Sequence, residues 1–304
     1  MRDPGEIERR TQNRLVGLFR KELGYRYLGD WTDRVGNRNL EEDLLRPFLR
    51  DVQGYEEALV TRALHELRTT AGDTSKSLYD RNRAVYELLR YGVKVRADVG
   101  DQTETVWLID WKAPERNRFA IAEEVTVIPT ATGSHSKRPD LVLYVNGIAL
   151  GIIELKRSTV SVAEGIRQNL DSQKKEFIQP FFSTVQLVMA GNDTEGLRYG
   201  VIETPERYSL TWKEPSDVEN PLDRAVLQLC GKERLLELVH DFIVFDRGIK
   251  KVCRPHQYFG VKAAQAHAER RQGGIIWHAQ GSGKSLTMVW LTKWLREHIP
   301  DAGC

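Results

Sequence analysis

The sequence predicts a mixed α/β protein arranged as two units joined by a polar connection. Three observations carry this. The apolar period changes from helical to alternating near residue 105, two apolar runs meet at Asn146-Gly147, and a strand, a glycine loop and a helix follow one another around residue 280.

Residues 7 to 23 read as a helix, with Leu15, Val16, Leu18, Phe19 and Leu23 grouped toward one face. Leu59, Val60, Ala63, Leu64 and Leu67 repeat at helical spacing, as do Ala84, Val85, Leu88 and Leu89. TVWLID (105–110) and the alternation of Phe119, Ile121, Val125 and Val127 read as strands. LVLYV and IALGIIEL form a hairpin, because Asn-Gly supplies the positive φ angles of a tight turn. Segment 161–177 predicts a helix and VQLVMA (185–190) a buried strand. A polar stretch then carries Pro205, Pro215 and Pro221. The first unit is accordingly placed at 1–210, a linker at 211–230 and a second unit at 231–304. In the second unit LLELVHDFIVF (235–245) restarts helical packing, and Ile275, Ile276 and Trp277 read as a short strand.

Bulk properties narrow the class only a little. The length of 304 residues suits about two domains. Apolar residues at 40% and charged residues at 29% describe a globular chain with real cores. A net charge of +2, from 45 basic and 43 acidic residues, neither demands nor excludes nucleic acid, since DNA binding needs a local basic surface. Cys230, Cys253 and Cys304 are odd in number and far apart, which fits neither a disulfide framework nor a zinc site. They are expected to be free thiols in a reducing cytoplasm. MRDPGEIERR lacks the apolar core of a signal peptide, and no run is long enough for a membrane span.

The chemistry concentrates in RPDLVLYVNGIALGIIELK, residues 138–156. Phosphodiester cleavage needs a metal to polarise the phosphoryl oxygen and lower the pKa of an attacking water. Mg²⁺ takes hard oxygen ligands, usually one or two carboxylates. Asp140 and Glu154 are the candidate metal ligands, and the Leu155 carbonyl is a further one. Lys156 stands two residues after Glu154, so on a strand both share a face. There it can orient or deprotonate the water and offset charge at phosphorus. Charged strand ends can be mere surface, but Ile152, Ile153 and Leu155 imply a strand buried on both faces, where charge is costly unless used. The pattern is that of a PD-(D/E)xK nuclease. A strict two-residue loop at Asn146-Gly147 would pair Asp140 with Ile153 and set the two carboxylates on opposite faces. A bulge, longer loop or strand break near Asp140 is therefore predicted.

Weaker candidates surround this core. Gln168 is a possible catalytic residue facing the site from the following helix, although a solvated helix face explains it equally. Glu6 or Glu8 would complete a metal shell, but nothing in the sequence selects one. His135 has no partner base or nucleophile and reads as a surface residue.

HAQGSGKS (278–285) matches a phosphate loop except at its first position, where His278 replaces glycine. Gly281 and Gly283 let the backbone close on an anion, and a helix starting near Lys284 aims its N-terminus at phosphates. Lys284 would reach the β/γ-phosphates and Ser285 a Mg²⁺ ion. The segment after the loop, LTKWLREHIPDAGC, has no room for the second acidic motif that ATP turnover needs. The chain is thus expected to be a truncated ATPase lobe that does not hydrolyse ATP unaided.

Through NLEEDLL, RPDLVLYVNG, IIELK, FIVFD, PHQYF and WHAQGSGKS the chain resembles the R subunit of type I restriction-modification enzymes. The resemblance implies a PD-(D/E)xK endonuclease-like domain followed by the start of a RecA-like superfamily 2 helicase lobe. It further implies ATP and Mg²⁺ as cofactors, double-stranded DNA as substrate, and separate methyltransferase and specificity subunits as partners. By analogy Asp140, Glu154 and Lys156 cleave, Lys284 and Ser285 belong to the ATP site, and Gln257 stands where such helicases read adenine. The family often carries a Gln-xxx-Tyr motif; here Ser172 stands four residues after Gln168, so that motif is incomplete. Two alternatives remain open: a nuclease-helicase fusion of another defence or repair system, and a non-cleaving DNA-binding or docking module.

Overall fold

Helix α1 (Pro4–Lys21) buries Leu15, Val16 and Phe19, the stripe its spacing predicts. The computed structural model describes residues 4–98, 100–129 and 133–299. After strand β1 (Arg26–Asp30) come α2 (Glu42–Pro47), α3 (Glu57–Gly72) and α4 (Leu78–Tyr91). Ser77 caps α4 by accepting the Asp80 amide at 3.1 Å. A small antiparallel ribbon of β2 (Val93–Val95) and β3 (Glu104–Val106) follows.

The central sheet takes β1 and then β4 (Phe119–Glu123), β5 (Leu141–Val145), β6 (Ile148–Leu155), β7 (Leu187–Asn192), β8 (Gly196–Gly200) and β9 (Leu210–Thr211), in that spatial order. The β1–β4 and β6–β7 pairs are parallel and the others antiparallel. The β6–β7 connection runs through α5 (Val162–Ser172), a crossover that a parallel pair requires. Strands β4, β5 and β6 are buried along their whole length, so both faces of the sheet are covered.

Register in the β5–β6 hairpin positions the candidate site residues. Asn146 (φ 54°) and Gly147 (φ 90°) make the expected tight turn. From the turn, Val145 pairs with Ile148 and Tyr144 with Ala149, but Leu143 then pairs with Gly151. Leu150 is the extra residue. The apolar pattern shows the same slip: Ile148 and Leu150 join one core, and beyond the bulge it is Ile153 and Leu155 that do so. Ala149 and Ile152 join the opposite core. Beyond the bulge Leu141 pairs with Ile153, which brings Asp140 opposite Glu154. The predicted irregularity is present, inside the hairpin rather than beside Asp140.

Four expectations are corrected. TVWLID is a strand only to Val106, and Leu108 and Ile109 are buried in irregular chain beyond it. LLELVHDFIVF is not all helix: α7 (Lys232–Asp241) stops, and β10 (Ile243–Asp246) pairs with β11 (Ile249–Val252) around an Arg247-Gly248 turn of positive φ. The β-branched Ile243 and Val244 favour that strand. Residues 211–230 are not a simple linker, because α6 (Pro221–Leu229) packs on β8 with Leu222, Val226 and Leu229 buried. Pro221 punctuates the chain by starting a helix behind the Asn220 cap, where its missing N–H does no harm. Ile275–Trp277 is not a strand either: no partner strand lies beside it among the described residues, and Ile275 and Trp277 are 91% and 90% exposed.

The last helices are α8 (Pro255–Glu269) and α9 (Lys284–His298), packed on each other, with Trp290 buried in the same core as the sheet. Cys230 and Cys253 are buried free thiols, and Cys304 lies outside the described residues. Among the described residues no helix is long and apolar enough to cross a membrane.

Gly147 is where this arrangement tolerates least. A Cβ there would lie 2.5 Å from the Glu41 carbonyl and 3.0 Å from the Leu45 amide, in a backbone region that L-residues avoid. Gly147→Ala should lower unfolding free energy by about 1–3 kcal/mol, read from urea denaturation.

Candidate active site

Asp140 is pinned from both sides. Its carbonyl accepts the Glu124 amide at 2.9 Å, and its Oδ2 accepts the Leu155 amide at 2.6 Å. Asp140 is thus tied by its carbonyl to the chain just past β4 and by its carboxylate to β6. Glu154, buried at the end of β6, and half-buried Lys156 point to the same face, with Lys156 Nζ 3.0 Å from Glu154 Oε1 and 2.9 Å from the Leu155 carbonyl oxygen. The Lys156 amide donates to the Gly191 carbonyl of β7 at 2.9 Å, holding the strand end in place.

Helix α5 closes over this face. Ser161 caps it by accepting the Ala163 amide. Gly165 makes the close approach possible: a Cβ there would stand 3.0 Å from that of Ala190 and 3.5 Å from the Cγ atoms of Glu154 and Lys156.

Two acids share this pocket with one ammonium group. Burial, only partly offset by the Leu155 amide and Lys156, pushes the Asp140 carboxyl up to about 7. Burial and the adjacent Asp140 charge push Glu154 well above the usual carboxylate range. Burial pulls the Lys156 ammonium down, but neighbouring Glu154 outweighs it and raises Lys156 overall. Fully ionised, the acids exceed the lysine by one negative charge. Two carboxylates and a carbonyl oxygen form a hard donor set suited to Mg²⁺, and the charge deficit is one that a divalent cation answers.

The other candidates fall on both sides. Glu8 on α1 comes within 3.8 Å of Lys156 Nζ, which brings one of the two acids named from the sequence to the edge of the site. The Glu6 side chain lies outside the described residues. Gln168 is partly exposed on α5, and its side chain forms no hydrogen bond with Asp140, Glu154 or Lys156. His135 is exposed in its loop. Glu124 went unnoticed in the sequence; it adds negative charge near Asp140 and is itself bridged by Arg138 at 2.8 Å. His240, Asp241 and Glu297 also cluster, but Arg90 lies 2.8 Å from Glu297 and 3.9 Å from Asp241, so a guanidinium already supplies the positive charge.

Residues 278–283 form a loop that leads into α9, whose first residues are Lys284 and Ser285. Gly281 (φ 77°) and Gly283 (φ 86°) take left-handed conformations, as closure on an anion requires. Lys284 and Ser285 are exposed, and Lys284 Nζ lies 3.4 Å from the His278 carbonyl. Gln257 is brought to this loop. Its Nε2 donates to the Gly283 carbonyl at 3.1 Å and the Ser282 carbonyl at 3.3 Å, while its Oε1 accepts the Arg254 amide at 2.8 Å. A cavity of about 470 Å³ opens beside them, lined by Gln257, Gly281, Gly283, Glu203, Tyr208 and Arg254 among others.

Residues 7–207 match the family model described as type I restriction enzyme R protein N terminus, and residues 256–303 match a SWI2/SNF2 ATPase model. A putative type I restriction enzyme MjaIXP endonuclease subunit of Methanocaldococcus jannaschii is 27% identical, over 90% of this chain and 30% of that protein. The type I restriction enzyme HindI endonuclease subunit of Haemophilus influenzae is 30% identical, over 69% of this chain and 22% of that protein. The chain therefore spans less than a third of the length of these relatives.

The raised carboxyl sets a pH signature. A carboxyl near 4 in the unfolded chain and about 7 in the folded one makes the folded state bind more protons between those values. The stability it contributes is complete below about pH 4 and lost as pH rises through about 7. Without metal the melting temperature should fall over that window, and Asp140→Asn should flatten the fall and melt above wild type near about pH 8. Added Mg²⁺ should raise the wild-type melting temperature most at the alkaline end and leave Asp140→Asn unmoved. Calorimetry across pH, with and without Mg²⁺, checks each outcome.

Proposed function

The chain belongs to the type I restriction enzyme R protein N-terminal family, and on that premise we propose that it holds the DNA-cleaving centre of such a subunit, a Mg²⁺-dependent site of the PD-(D/E)xK kind. The observation that carries this reading is the convergence of Asp140, Glu154 and Lys156 on one face at one strand end, against a bulge that sets their register. Asp140, Glu154 and the Leu155 carbonyl are the groups that would hold Mg²⁺, which when bound polarises a phosphoryl oxygen and acidifies a water.

The chain's own residues supply the rest. Lys156, kept protonated by Glu154, offers its Nζ protons to an attacking water or to the charge gathering on the phosphoryl oxygens. The Leu155 amide fixes the Asp140 carboxylate before substrate arrives. Helix α5 excludes water from the inner side of Glu154. Gln168 is kept as a secondary candidate that substrate would have to recruit.

The proposal extends to the second unit. Gly281, Gly283, Lys284 and Ser285 would bind ATP phosphates at the start of a RecA-like motor lobe, with Gln257 beside the base. Double-stranded DNA would be the substrate, cut in a complex with methyltransferase and specificity subunits. The similarity of residues 256–303 to an ATPase model supports this motor reading.

The test is reconstitution of the subunit at the length of its relatives with candidate partner subunits, followed by assay on unmethylated plasmid with Mg²⁺ and ATP. Asp140→Ala and Lys156→Ala should each cut at least about 100-fold more slowly with ATP hydrolysis retained, and Lys284→Ala should abolish hydrolysis. Wild-type cutting by Lys156→Ala would remove the assignment.

A further inference from the structure

We propose that Lys250 is a positioning residue that ties the phosphate loop to the strand carrying Glu154 and Lys156. The inference deepens the reading above and rests on its metal site.

Lys250 lies on β11 with its side chain buried, and among the described residues it forms no ion pair with a carboxylate. Its Nζ donates to Gln186 Oε1 at 2.6 Å, Asn82 Oδ1 at 2.8 Å and the Val185 carbonyl at 3.4 Å. Burial without an opposing charge drives its ammonium well below the ordinary lysine value. A leucine or methionine would occupy this position at far lower cost. What a lysine adds is directional: three acceptors, from α4 and from the entry to β7, lock β11 in one register against the sheet.

Each end of this lock leads to a site. On one side the Gln186 amide donates to the carbonyl of Leu150 at 2.8 Å, and Leu150 is the bulged residue that turns Glu154 toward Asp140. Thr184 Oγ1 holds the neighbouring Ala149 carbonyl at 2.8 Å, and Gln186 Nε2 holds the Thr184 carbonyl at 2.8 Å. On the other side β11 runs into Cys253, whose carbonyl accepts Tyr199 OH at 2.8 Å, and Arg254, whose amide donates to Gln257. Gln257 in turn grips the carbonyls of Ser282 and Gly283, and His256 Nε2 lies 3.0 Å from that of Ser282. The bulge and the phosphate loop are thus joined by the Lys250 hydrogen bonds on one side and, on the other, by the few residues of backbone from Lys250 to Arg254 and the Gln257 contacts. Coupling along this route is reciprocal, so a ligand at either site should be felt at the other.

The experiment uses this chain with Mg²⁺ as the only ligand and reads amide hydrogen exchange. In the wild type Mg²⁺ should slow exchange at 150–156 and also shift exchange at 281–287, by at least about fivefold. Lys250→Met and Gln186→Leu should keep the first effect and lose the second, and if one of them fails to fold the other decides. Asp140→Asn should lose both effects. The proposal is overturned if Mg²⁺ acts only at 150–156 in the wild type, or if both effects survive in a folded Lys250→Met or Gln186→Leu. An absence of any effect at 150–156 in the wild type would instead strike the metal site itself, and the tie would fall with it.

Discussion

A hairpin with a two-residue turn has a fixed parity: partners across it sum to a constant, and side chains alternate between faces. In the β5–β6 hairpin that parity would set Asp140 against Ile153 and send the two carboxylates to opposite sides of the sheet. Leu150 breaks it. One unpaired residue advances the rest of β6 by a step, so Glu154 and Lys156 exchange faces with Ile153 and Leu155. The apolar residues before and after the bulge still fill the same core, because the slip in register is matched by a slip in the hydrophobic pattern. The placement of Glu154 and Lys156 beneath α5, and of Ile153 and Leu155 in the opposite core, rests on that one insertion.

The site so formed is a burden on the fold. Two acids in a buried pocket oppose each other's ionisation, and the single lysine beside them does not cancel both. The protein holds them there with fixed geometry elsewhere: the Leu155 and Glu124 amides on Asp140, the Gly191 carbonyl on the Lys156 amide, and the close approach at Gly165. Strain of this kind is tolerated where it prepares a group for a ligand.

Much of this could be read from residues in order. Asp140, Glu154 and Lys156 stood out as polar residues at the ends of apolar runs, and the parity conflict announced an irregularity. Its position did not follow, because the bulge is held by the Gln186 amide and Thr184 hydroxyl, more than thirty residues along the chain and adjacent only after folding. The approach of Glu8 to Lys156 has the same character, since it depends on how α1 packs and not on a local pattern. Local signals misled where one residue type serves two ends. Pro221 read as a break and is a helix start, and FIVF read as helix because α7 runs straight into it without an intervening glycine or proline.

The glycine loop before α9 shows what happens when a motif lacks its expected strand on one side. Ile275, Ile276 and Trp277 have the composition of a buried strand, yet no strand among the described residues pairs with them and two are almost wholly exposed. A glycine loop needs rigid flanks, because its anion-facing amides are useful only when aimed together. Here the downstream flank is α9, anchored by Trp290 against Phe242, and the remaining restraint comes from α8 through His256 and Gln257. The loop therefore takes its form from α8, which is continuous with β11 and so with the Lys250 socket. Two segments singled out separately in the sequence, PHQYF and the glycine loop, thus meet through the side chains of His256 and Gln257.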